Sequence, residues 1–182
     1  IGYNAGTAIN TGGNNVAVGH SAGEAITSGT ENVAVGFQAL RLVTTAASNV
    51  AIGNEAMENN VAANNVAVGT KSMRANTTGT RNIAIGTNAY DASDTENDNL
   101  AIGYDAMTTN TAGGTKNVAI GNYALDALTS GDNNTAVGYN ALTGCTSAGS
   151  NTAFGSGAGT DVVGAQTGVY IGLNTNPTAG DS

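Results

Sequence analysis

A five-residue phrase, Asn32-Val33-Ala34-Val35-Gly36, returns along the whole chain at a nearly fixed interval. Its closing glycine stands at Gly2, Gly19, Gly36, Gly53, Gly69, Gly86, Gly103, Gly121, Gly138, Gly155 and Gly172. The spacing is 17 residues except for one of 16 (Gly53 to Gly69) and one of 18 (Gly103 to Gly121). A period below about 20 residues is too short for a pair of helices and suits one coil of a β-solenoid. The expected fold is all-β, a parallel β-solenoid (β-roll) of about ten 17-residue coils over residues 1–172. Residues 173–182 leave the pattern, and Pro177 cannot donate to a ladder, so this stretch is expected to cap the stack or lead into a following module. Ile1 opens inside a repeat, which predicts a fragment or processed product of a longer chain.

Numbered from the glycine, the columns separate. Three residues and one residue before it come Val16/Val18, Val33/Val35, Val50/Ile52, Ile83/Ile85 and their equivalents, the alternation of a short strand. Between them stands Ala17, Ala34, Ala51, Ala67, Ala84, Ala101, Ala119, Ala136 and Ala153. A strand face turned to water would drift among Ser, Thr, Lys and Glu, so this alanine face is expected to pack closely. Its partner is the far wall of the coil or a neighbouring subunit, and the subunit is the preferred reading.

Four residues before the glycine an asparagine column (Asn15, Asn32, Asn49 and onward to Asn151) is expected to take the left-handed backbone of a corner and to bond along the stack. After the glycine a second strand or corner is expected. Alanine stands three residues on, and Leu40, Met57, Met73, Tyr90, Met107, Leu125 and Leu142 four residues on supply bulk. Gly 27, Pro 1, Phe 2 and Trp 0 suit a thin core of this kind.

In-register stacking puts like positions about 4.8 Å apart, so charges in one column should alternate in sign. They do in Glu24, Arg41, Glu58, Arg74, Asp91, in Glu55, Lys71, and in Arg81, Asp98, Lys116. Each exposed pair contributes only about 0.2–1 kcal/mol, so these ladders fix register more than they add stability.

Asn-Val-Ala-Val-Gly-Phe-Gln-Ala-Leu (32–40) and Asn-Thr-Ala-Val-Gly-Tyr-Asn-Ala-Leu (134–142) resemble two groups of repeats. One is the head repeats of trimeric autotransporter adhesins of the YadA type. The other, which they resemble more, is the repeats of bacteriophage tail and surface fibres. The resemblance implies a left-handed β-roll in each chain and a homotrimer of three chains side by side, with the alanine column at the trimer contact. It also implies an extracellular place, on a virion or a bacterial cell surface. The 17-residue coil is longer than the adhesin coil, which leaves room for a third short side.

No catalytic constellation stands out, and the chain reads as non-enzymatic and without a cofactor. Cys145 shares a column with Ile9, Ile26, Val43, Leu128 and Val162 and reads as a small buried hydrophobe. Gly69-Thr70-Lys71-Ser72 is similar to the end of a phosphate loop but lacks the earlier glycine and is one ordinary coil. His20 lies in one column with Tyr3, Phe37, Tyr104 and Tyr139, a surface ring column that is the candidate contact for a host receptor or glycan. Asp94, Glu96 and Asp98 form an acidic turn with a weak likeness to a calcium loop; a solvated turn is the plainer reading.

The net charge of −8 with five Lys and Arg excludes a basic nucleic-acid surface, and no apolar run approaches the about 20 residues of a membrane span. Two function classes remain. The first is a structural and adhesive fibre segment, with a bacterial adhesin head as its variant. The second is an ice-binding solenoid, suggested by Thr27, Thr44, Thr77, Thr111, Thr129 and Thr146 in one column. Its neighbouring column (Thr11, Ser28, Thr45, Ala62, Thr78) is expected to point the other way, against that reading.

Overall fold

The computed structural model describes residues 1–110, 113–162 and 167–177. Each apolar phrase forms a three-residue strand: β1 (Val16–Val18), β2 (Val33–Val35), β3 (Val50–Ile52), β4 (Val66–Val68), β5 (Ile83–Ile85), β6 (Leu100–Ile102), β7 (Val118–Ile120), β8 (Thr135–Val137), β9 (Thr152–Phe154) and β10 (Val169–Ile171). They make one ten-stranded parallel sheet in chain order. Like residues pair throughout, Ala17 with Ala34 and Val18 with Val35. The short coil keeps the match (Ala51 with Ala67), and so does the long one (Ala101 with Ala119). The chain is therefore an all-β parallel β-solenoid, and the two length changes are absorbed in turns without disturbing register. The sequence-expected extent of the last segment is described only to Pro177, and 178–182 lie outside the described residues.

The repeat glycine is dictated by stacking. Its φ lies between 125° and 142° at all eleven positions, a region that side chains disfavour. A Cβ on Gly36 would lie 2.2 Å from the carbonyl oxygen of Gly53 in the next coil. Coils can approach this closely only because the column carries no side chain.

Beyond the glycine the structure departs from the expectation of a second strand: among the described residues these segments are turns. Positions two and four residues after the glycine both take left-handed backbone, as at Gln38 (φ 54°) and Leu40 (φ 50°). The turn still stacks like a ladder. Gln38 N–H donates to the His20 carbonyl one coil back, and Leu40 N–H to the Ala56 carbonyl one coil ahead. Left-handed backbone costs a non-glycine residue roughly 1–2 kcal/mol. Full burial of the side chain returns about 1.5–3 kcal/mol, and Leu40, Met57, Met73, Tyr90, Met107, Leu125 and Leu142 are all wholly buried. Burial therefore wins, and Gly6, Gly23 and Gly159 fill the same position where no bulk is present.

These inward side chains decide which strand face is the core. From Ala34 to Ala153 the alanine column is wholly buried within the single chain, with Ala17 partly buried at the end. A Cβ on Gly23 would sit 3.7 Å from that of Ala17, so the far wall is within contact distance and leaves room for nothing larger than Ala opposite Leu, Met or Tyr. The alanine column, Ala17, Ala34, Ala51, Ala67, Ala84, Ala101, Ala119, Ala136 and Ala153, is thus core rather than an outer contact. The preferred placement of alanine against a neighbouring subunit is corrected on this point. The face left outside belongs to Val, Ile and their equivalents.

The asparagine column is a ladder, but it is not the corner. The left-handed residue is the one before it, as at Glu31 (φ 60°) and Arg81 (φ 59°). The asparagine amides then bridge coils. Asn82 Oδ1 accepts the Asn99 N–H (2.9 Å), and Asn82 Nδ2 donates to the Glu96 carbonyl (2.7 Å). The same two contacts recur at Asn65, Asn99, Asn117 and Asn134.

One core column changes character along the stack. Seven residues after the glycine it holds Ile26, Val43, Leu128, Cys145 and Val162, but between them Asn60, Asn76, Ser93 and Asn110, all wholly buried. Asn60 Oδ1 accepts Asn76 Nδ2 (2.7 Å), and the Tyr90 hydroxyl accepts Asn99 Nδ2 (2.6 Å) and Asn110 Nδ2 (3.3 Å). Burial raises the Tyr90 hydroxyl far above its ordinary range and keeps it protonated.

Candidate functional surfaces

The outward sheet face is apolar. Val16, Ile52, Ile83, Ile85 and Phe154 are between 38% and 59% exposed, although each lies in a regular strand. Scattered exposed apolar residues are ordinary; here they share one face with the half-buried outward residues of β2, β4, β6 and β7, and Thr135 and Thr152 are the polar members of that face.

The ring column divides into two groups. Tyr3, His20 and Phe37 stack face to face, with centroids 5.3 Å apart and planes 23° and 19° from parallel. This is the arrangement expected of like positions in successive coils. Tyr104 and Tyr139 are two coils apart and meet through Tyr123, which the sequence reading did not include. Tyr123 lies edge-on to both, at 5.5 Å and 72° and at 5.9 Å and 87°. Tyr123 belongs to the neighbouring column, two residues after Gly121, so periodicity alone gave no signal for it.

The arginine ladders form as the columns dictate. Arg41 meets Glu58 at 2.6 Å, Arg74 meets Asp91 at 3.2 Å, and Arg81 meets Asp98 at 2.5 Å. Arg74 also reaches across columns to Glu55 at 3.7 Å, which was expected to serve Lys71. Among the described residues Lys71 and Lys116 form no ion pair, while Glu24 accepts Asn4 Nδ2 rather than pairing with Arg41. The Arg81 hydrogen bond holds the exposed Asp98 carboxyl below its usual range.

Asp94, Glu96 and Asp98 turn to three different partners. Asp94 accepts the Thr77 hydroxyl, Asp98 pairs with Arg81, and Glu96 is buried, its carboxylate accepting N–H groups of Asp94, Thr95 and Gly113. Glu96 stands where other coils carry Gly12, Gly29 or Gly79, and its carboxylate reaches Gly113 N–H in the 18-residue coil. Among the described residues no group of three or more His, Cys, Asp or Glu is placed to hold a metal ion.

Cys145 is buried, its Sγ 3.5 Å from the Ala148 carbonyl, and burial pushes its thiol up to about 11. In the Gly69–Ser72 segment the Ser72 hydroxyl is buried and donates to the Ala84 carbonyl, which makes it part of the stack. The two hydroxyl columns lie in bends, not on a strand, so both are exposed at Thr27 and Ser28, Thr44 and Thr45, and Thr146 and Ser147. This corrects the expectation that the second column points away. Thr27 and Thr129 donate their hydroxyls to the carbonyls of Thr44 and Thr146 in the next coil. Thr111 lies outside the described residues.

Comparison with family models, with curated proteins and with solved structures finds no match. What the fold defines is a class: a β-solenoid repeat protein with an apolar outer sheet face.

Proposed function

We propose that this chain is a structural and adhesive fibre segment, a rigid shaft or head on a virion or bacterial surface. Three copies lie side by side with their left-handed coils parallel. The observation that supports this reading is the outward, mostly Val and Ile face of the ten-stranded sheet, half-buried to exposed along its length while alanine fills the core. Water contact with such a face is costly at roughly 25 cal/mol per Å² of apolar area, and burial against copies of the same stack removes it. Register favours a like partner, because a second stack carries the same rise of about 4.8 Å per coil. The exposed rings and turns then face outward, available to a host receptor or glycan. The segment works by stiffness and display and performs no catalysis.

Light scattering of the intact chain tests this. The expected result is three times the mass of one chain, falling to one on Ile85→Lys with the β-sheet circular dichroism retained. A well-folded monomeric parent would refute the assembly. Ice binding is the second reading, favoured by the exposure of both hydroxyl columns and opposed by Val61, Ala62 and Asp94, which interrupt them. Absence of thermal hysteresis eliminates it.

A further inference from the structure

The two ring groups differ in what they leave available. In the Tyr3–His20–Phe37 stack the rings are nearly parallel, so His20 has a neighbour on either side and its faces are covered. In an edge-to-face pair at most one of the two rings has a face covered. The Tyr104–Tyr123–Tyr139 cluster therefore keeps ring faces open, and Tyr104 and Tyr139 are 44% and 53% exposed.

Two carboxylates border this cluster. Asp105 Oδ1 accepts Asn88 Nδ2 (2.9 Å), and Asp126 Oδ1 accepts the Thr143 hydroxyl. Both donors are neutral, so each anchors its carboxylate without cancelling the charge. Among the described residues no basic side chain pairs with either, since Arg41, Arg74 and Arg81 are engaged with Glu58, Asp91 and Glu55, and Asp98. The Tyr123 hydroxyl is raised above its ordinary range, by desolvation first and then by Tyr104, Asp105, Tyr139 and Asp126, which agrees with a negative local potential. Open aromatic faces beside uncompensated carboxylates are the chemistry that attracts a cation with an apolar surface.

We infer that Tyr104, Tyr123 and Tyr139, with Asp105 and Asp126, form a surface site for a small organic cation of the quaternary ammonium class. The cation lies over the open ring faces, and the two carboxylates supply long-range attraction. The inference is independent of the fibre reading and holds for a single stack.

Choline chloride titrated into the intact chain, followed by the tyrosine ring proton resonances, is the test. Cation–π contacts at an exposed site place the dissociation constant on the order of 10 mM. The expected result is saturable shifts confined to Tyr104, Tyr123 and Tyr139. Asp105→Asn with Asp126→Asn is expected to weaken binding about threefold or more and to flatten its salt dependence, and Tyr3→Leu to leave it unchanged. Tyr123→Leu is expected to abolish the saturable shifts of Tyr104 and Tyr139. Unmoved resonances at tens of millimolar choline overturn the proposal. So do equal shifts with methyl glucoside, which would mark a neutral sugar surface, or an unchanged affinity in the double aspartate variant with its sheet signal intact.

Discussion

Asn82→Ala tests the asparagine ladder at its deepest point. The substitution removes the acceptor of the Asn99 N–H and the donor to the Glu96 carbonyl, bonds of 2.9 and 2.7 Å. Asn82, Asn99 and Glu96 are all buried, at 0%, 2% and 2% exposure, so water cannot replace either partner. An orphaned buried group costs about 1–3 kcal/mol, which gives roughly 2–6 kcal/mol for the two. For a domain near this size each kcal/mol lowers the melting point by about 2–4 °C, so the expected fall is at least about 4 °C. Asn15→Ala is the control. It breaks the same two contacts, to Asn32 N–H and the Gly29 carbonyl, and a bond from Asn32 Nδ2, but Asn15 is itself half-buried as the first asparagine of the column, so water can take its place. Its expected cost is below about 1 kcal/mol. Thermal unfolding followed by circular dichroism, with hydrogen exchange at the Asn99 amide, measures both effects. Equal losses in the two variants, or an Asn99 amide as protected in Asn82→Ala as in the parent, would refute the ladder as a source of stability.

Further outcomes follow from Gly86, Gly13 and Cys145. Gly86→Ala places a Cβ 2.3 Å from the Gly103 carbonyl oxygen at a φ of 136°, and is expected to cost about 4 kcal/mol or more in denaturant unfolding. Gly13→Ala, where a Cβ meets nothing within 4 Å, is expected to cost under about 1 kcal/mol in the same assay. Cys145 is expected to resist maleimide at pH 8 in the folded chain and to react once the chain is unfolded, because its thiol is buried and raised to about 11. The raised value means that the folded state holds the proton more tightly than the unfolded state. The Cys145 share of stability is thus complete below pH 9 and declines as pH rises toward 11, a decline that Cys145→Ala removes from the melting profile.

Much of this architecture was legible because a parallel stack writes its geometry directly into the sequence. A 17-residue glycine spacing fixes the coil, the Val-Ala-Val phrases mark the strands, and Arg41 with Glu58 and Arg81 with Asp98 announce register through their charges. The stacking of His20 between Tyr3 and Phe37 and the burial of Cys145 follow from the same column logic. The inward face of the strand did not follow. Alanine suits a close subunit contact and a thin interior equally well, and only the placement of Leu40, Met57 and Tyr90 opposite it decides. That placement depends on left-handed backbone at large residues, which local preference argues against and burial overrides. Asn60, Asn76 and Asn110 were not expected in the core, since a lone polar residue in an apolar column reads as a break until its partners in adjacent coils are known. Tyr123 and Glu96 escaped for a related reason. Tyr123 lies one column beside the rings it meets, and Glu96 takes a place that glycine holds in other coils, so these contacts depart from the repeat and are not written in it.

In the proposed assembly, valine and isoleucine, with alanine behind them, join parallel copies of this stack. A density map of the assembled protein tests it most directly. The account predicts three stacks whose Val and Ile columns meet in steps of about 4.8 Å, each with its alanines enclosed. Separate stacks with that face bare, or alanine columns lying between chains, would contradict it.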